Sequence, residues 1–75
     1  MEPPKVGHPI RLGMRDATVV ALKKGRTNGS YNVLAVVPFG EYRWKTARLY
    51  PLKTGRWGHG QVHSYGSFAS AVEYW

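Results

Sequence analysis

The stretch ATVVALKKGRTNGSYNVLAVVPF, residues 17–39, decides the fold. Two runs rich in β-formers, Ala17–Leu22 and Tyr31–Val37, flank Asn28-Gly29. Branched Cβ atoms suit a pleated strand, and Asn-Gly readily takes the two positive φ angles of a type I′ turn, so the stretch is expected to be a β-hairpin. With Asn28 and Gly29 as the loop, Thr27 faces Ser30, Leu22 faces Ala35, Val20 faces Val37 and Thr18 faces Phe39. The same register sets Lys24 beside Val33 and Arg26 beside Tyr31, and puts Val19, Ala21, Leu34 and Val36 on the other side. Both sides are apolar at mid-strand, which predicts cover on both. A small barrel meets that need, as does a sheet with a helix on one face and a partner or second copy on the other.

After Pro38-Phe39-Gly40 a third strand is expected over Tyr42–Tyr50, ended by Pro51. Period-two alternation sets Tyr42, Trp44, Thr46, Arg48 and Tyr50 on one face, with Arg43, Lys45, Ala47 and Leu49 on the other. Residues 51–60, PLKTGRWGHG, read as a glycine-rich loop, and Gln61–Tyr65 as a short fourth strand. Ser67 is a good N-cap for a helix over Phe68–Trp75. There Phe68, Ala71, Val72 and Trp75 form one apolar stripe that would pack on the sheet. Residues 1–9 hold Pro3, Pro4 and Pro9, and are expected to be a flexible arm before a single β-rich domain over 10–75. The fold class is therefore α+β, mostly β: a small antiparallel sheet of three to five strands with one short helix at its end. Residues 12–50 also suit an SH3-like barrel.

The chain has 75 residues, 43% hydrophobic and 13% aromatic, which is a globular composition. It has no cysteine, so disulfides, thiolate metal sites and cysteine nucleophiles are excluded. No run approaches the roughly 18 apolar residues of a membrane span, and the expectation is a soluble, cytoplasmic protein with no membrane partner. Eleven Lys and Arg against four Asp and Glu give a net charge of +7 and a pI near 10.2. A balance so basic on so short a chain points to a polyanionic partner, nucleic acid first and an acidic protein surface second.

Chemistry is sparse. The acids Glu2, Asp16, Glu41 and Glu73 are scattered with no carboxylate pair, and nothing resembles a nucleophile elbow. His59 and His63 stand four apart, but Gly58 and Gly60 argue against the helix that would align them as metal ligands. No catalytic residue, metal or cofactor is expected. What remains is a cationic group with interleaved aromatics: Arg43, Trp44, Lys45 and Arg48, then Lys53, Arg56 and Trp57. Cations neutralise phosphates, and aromatic faces stack on unpaired bases. Lys23, Lys24 and Arg26 around the hairpin tip form a second rim.

The segment Tyr42–Trp75 resembles the AP2-type DNA-binding domains, also seen in mobile-element integrases. The resemblance rests on Arg43-Trp44-Lys45-Thr46-Ala47-Arg48-Leu49 and on Tyr65-Gly66-Ser67-Phe68 leading into Ala71, which is similar to the family's Gly-Thr-Phe turn before its helix. It implies a three-stranded sheet before a packing helix, with Arg43, Trp44 and Arg48 at a DNA surface. The expectation is a small non-enzymatic nucleic-acid-binding protein or transcription regulator, DNA ahead of RNA, acting as a monomer or homodimer. The alternative is a phage-type regulator or inhibitor that docks on an acidic surface of a larger host protein.

Overall fold

The computed structural model describes residues 2–75. Six strands, β1 (Pro9–Leu12), β2 (Arg15–Lys24), β3 (Tyr31–Val36), β4 (Trp44–Pro51), β5 (Trp57–His59) and β6 (His63–Tyr65), precede one helix, α1 (Phe68–Tyr74). They form one antiparallel sheet in the order β1-β2-β3-β4-β5, with β6 also on β4. β5 and β6 share one flank of β4, pairing with Leu49–Pro51 and Trp44–Thr46 respectively. The sheet curls into a nearly closed barrel of the SH3-like kind, and the mostly-β α+β class holds, with one strand more than the three to five expected.

Two hydrogen bonds between a side-chain ring nitrogen and a distant backbone group draw the barrel together. The Gly13 N–H donates to His59 Nε2 at 2.9 Å, and Trp57 Nε1–H donates to the Glu2 carbonyl at 2.9 Å. Inside lie Leu12, Ala17, Val19, Val33, Ala35, Val37, Ala47 and Leu49, all buried, with Ile10, Leu22, Tyr31, Trp57 and Val62 packed around them. The alternation read for β4 holds: Ala47 and Leu49 point inward. Thr46 faces the other way and pairs with Leu34, which is 1% exposed. The helix covers that second face. Ala71 is fully buried beneath it, and the Phe68 ring meets Trp44 edge to face at 5.0 Å. Ser67 caps α1, its Oγ accepting from the Ser70 N–H at 3.1 Å. Of the expected stripe, Phe68 and Val72 stay largely outside, 48% and 42% exposed.

The register of the central hairpin differs from the expected one. Lys24 pairs with Tyr31 and Leu22 with Val33, and after a bulge at Val20 the pairing continues as Val19 with Ala35 and Thr18 with Val36. The cause is the loop. Only Gly29 takes a positive φ there, 83°, and Asn28 does not, so a type I′ turn cannot form. Instead Gly25 N–H bonds to the Ser30 carbonyl at 2.9 Å across a four-residue loop, and Ser30 N–H bonds to the Thr27 carbonyl at 3.0 Å. Buried Ser30 adds its Oγ–H to the same Thr27 carbonyl at 2.6 Å. The bulge restores the facing of Val19 and Ala17, so β2 feeds the barrel interior at both ends. The two-residue turn falls elsewhere, at Gly13-Met14 between paired Leu12 and Arg15. Gly13 has φ 64°, the positive first position of a type II′ turn.

The N-terminal segment lies beside β2. It is tied to β2 by Gly7 N–H to the Val19 carbonyl at 2.8 Å and Val19 N–H to the His8 carbonyl at 3.0 Å. β1 then opens at Pro9, a place where an edge strand tolerates a missing donor. Of the arm expected over 1–9, Glu2, Gly7 and His8 are hydrogen-bonded to the barrel.

Candidate nucleic-acid interface

Cross-strand pairing decides which cations meet. Lys24, Tyr31, Leu49 and His59 form one row across β2, β3, β4 and β5. The neighbouring row is Lys23, Asn32 and Arg48. Both rows lie at the end of the barrel where two loops project: Gly25–Ser30, which carries Arg26, and Leu52–Arg56, which carries Lys53. The loops adjoin, for a Cβ built on Gly29 would sit 3.8 Å from Pro51. The second loop is closed by Leu52 N–H to the Arg56 carbonyl at 2.8 Å, with Gly55 at φ 85°. Lys23, Lys24, Arg26, Arg48, Lys53 and Arg56 therefore share one pole, and all six are exposed. The ion pairs among the described residues lie elsewhere, Lys5 with Glu2 at 3.9 Å and Arg11 with Asp16 at 3.8 Å. Six cations without a carboxylate partner leave this pole with an uncompensated positive field.

The cation group read along residues 43–57 is divided by this geometry. Arg43 and Lys45 flank Trp44, whose row, Val36-Trp44-Tyr65, lies at the far end of β3. Five residues of strand separate that row from Tyr31, roughly 16 Å at about 3.3 Å per residue. There Arg43 Nε–H donates to the Val37 carbonyl at 3.2 Å, and Lys45 Nζ donates to Ser64 Oγ at 2.7 Å. Lys45 is half-buried, and desolvation first, then the Arg15 charge, hold its pKa below the ordinary lysine value. Arg15 itself lies 5.5 Å from the Phe39 ring centroid and donates to the Phe39 carbonyl at 3.1 Å. These three cations brace the opposite end.

The two tryptophans of that group, Trp44 and Trp57, are engaged in the fold. Trp44 packs under Phe68, and Trp57 meets Tyr31 edge to face at 5.8 Å while its N–H is taken by Glu2. Neither ring is a free stacking platform. The aromatic surface beside the cationic pole comes instead from residues that sequence reasoning did not place there. Between α1 and β4 runs an open groove of about 570 Å³, lined by Asn32, Arg48, Tyr50, His63, Tyr74 and Trp75 among others. Tyr74 stacks on Tyr65 at 5.8 Å and remains 69% exposed. Lys23 Nζ sits 4.6 Å from the Trp75 ring centroid, and Trp75 Nε1 is buried with no hydrogen-bond partner. Asn32 is the signal available earlier: a lone amide beside Leu34 in an apolar strand.

His59 and His63 do not converge. His59 uses both ring nitrogens, Nε2 accepting from Gly13 and Nδ1 donating to the Gly60 carbonyl at 2.8 Å. No cluster of three His, Asp or Glu side chains occurs among the described residues, and no helix there is long and apolar enough to cross a membrane. No protein-family model matches the chain, and neither curated proteins nor solved structures yield a match.

Proposed function

We propose that this small barrel is a non-enzymatic nucleic-acid-binding protein whose contact surface is the pole formed by its two projecting loops. The observation that carries the reading is the gathering of six exposed, unpaired cations at one end. Long-range repulsion among them is unfavourable in the free protein and is relieved by a polyanion, whose condensed counterions are released on binding. Arg26, Lys53 and Arg56 on the loops would reach phosphates first, with Lys23, Lys24 and Arg48 behind them. Of the strand residues that the AP2 resemblance implies, Arg48 alone belongs to this surface.

The test is charge reversal by region. Arg26→Glu with Arg56→Glu is expected to abolish binding to labelled DNA and RNA at low salt, whereas Arg15→Glu with Arg43→Glu leaves most of it. Equal affinities for all three proteins refute the proposal. Docking on an acidic protein is the second reading, favoured by Tyr50 and Leu52, which are 40% and 41% exposed beside the same cations. It gains if no nucleic acid binds at low salt.

A further inference from the structure

We infer that the groove between α1 and β4 receives an unpaired nucleotide, so that the ligand of the cationic pole is single-stranded nucleic acid. This rests on the nucleic-acid reading of that pole and names the form of its ligand.

Three observations carry it. First, the groove opens at the pole: Arg48 lines its wall and belongs to the same cross-strand row as Lys23. A strand whose phosphates lie on the loops can therefore turn a base into the groove. Second, its volume of about 570 Å³ falls within the usual range of small-ligand sites, about 300–1,000 Å³. A duplex is far wider than such a slot. Third, the lining chemistry is that of base recognition rather than of a lipid or an acidic peptide. Tyr74, still exposed, supplies ring surface, and Asn32 and Gln61 can both donate to and accept from a base edge. The usual device for entering duplex DNA is missing in turn, since α1, FASAVEY, carries no cation and one Glu.

The arrangement assigns distinct parts. The loops hold phosphates with little regard to sequence. Arg48 holds the sugar-phosphate unit at the mouth, and the Tyr74 ring makes stacking available to whichever base turns in.

The experiment compares a labelled 12-mer single-stranded DNA, the matching RNA and the 12-base-pair duplex, by fluorescence anisotropy at about 50 and 200 mM salt. Tyr74→Ser and Arg48→Ala are tested beside the wild-type chain, with Arg43→Ala as control and thermal melts confirming that each is folded. Single strands are expected to bind at least ten-fold more tightly than duplex, and each groove variant to lose about 5- to 150-fold, the equivalent of one stacked base or contact. A preference for RNA over DNA, or the reverse, then names the sugar. Duplex bound as well as single strand, with silent groove variants and an active Arg26→Glu/Arg56→Glu effect, overturns the groove while leaving the pole. No binding of any form at low salt overturns both.

Discussion

Replacing Arg26 and Arg56 by glutamine removes two of the six cations at the loop pole, both on exposed loop residues with no ion pair. For a single strand each neutralised phosphate contributes about 0.7 to the fall of log affinity with log salt, so six contacts give a slope of about −4.2. Between roughly 50 and 200 mM salt the wild-type chain then loses about 300-fold in affinity. With four contacts the slope becomes about −2.8, and the same step costs only about 50-fold. Anisotropy titrations at several salt concentrations measure both slopes directly. Arg15→Gln with Arg43→Gln is the matched control, because it removes equal charge from the far end and is expected to leave the slope near −4.2. Equal slopes for the loop variant and the wild-type chain would refute the reasoning. So would an equal loss from both pairs, since affinity would then follow net charge rather than place.

Three further outcomes concern the scaffold. Leu34→Ala empties the layer between sheet and helix and is expected to cost about 2–5 kcal/mol in denaturant unfolding, since the site is fully sealed; a loss under about 1 kcal/mol would mean that α1 does not seal it. A Cβ at Gly25 overlaps Ser30 Oγ, so Gly25→Ala is expected to destabilise by about 1–3 kcal/mol. Part of that returns in the Gly25→Ala/Ser30→Ala double variant, and strict additivity in the cycle would show that the clash is not the cause. Lys45 has its native pKa lowered, so the unfolded chain holds more protons and stability rises as pH climbs from the native value toward 10.5. Arg15→Gln is expected to narrow that window, leaving the part caused by desolvation, as chemical denaturation across alkaline pH would record.

Much of the architecture could be read from residue pattern alone. The β-branched runs around residues 17–37, the alternation of β4 and the Ser67 cap each produce the element they signal, because each is a local preference reinforced by burial. What escaped was governed by contacts distant in sequence. The Asn28-Gly29 turn lost to a wider loop because Ser30 is buried and satisfies Thr27, which no dipeptide preference expresses. β1 is obscured in the sequence because it opens at Pro9, which an edge strand tolerates. Trp57 falls into the cationic group by sequence, whereas its partners in the fold, Glu2 and Tyr31, are 55 and 26 residues away. The candidate site suffered most. Which cations stand together depends on register, so Lys23, Lys24 and Arg26 join Arg48, Lys53 and Arg56, while Arg43 and Lys45 are carried to the other end.

The meander order of the strands also governs how the molecule assembles. Every neighbouring pair from β1 to β5 is consecutive in the chain, so each hairpin closes a short loop and can form on the microsecond scale, about 1–10 μs. The bonds that shut the barrel are of another kind: His59 must find Gly13 across 46 residues, and Trp57 must find Glu2 across 55. Such non-local contacts carry the larger closure entropy and form late. The loop pole belongs to two adjacent hairpins and needs neither of those late bonds. Its charge is therefore gathered early on the folding path, and a polyanion present at that stage would favour the assembled hairpins over the open chain.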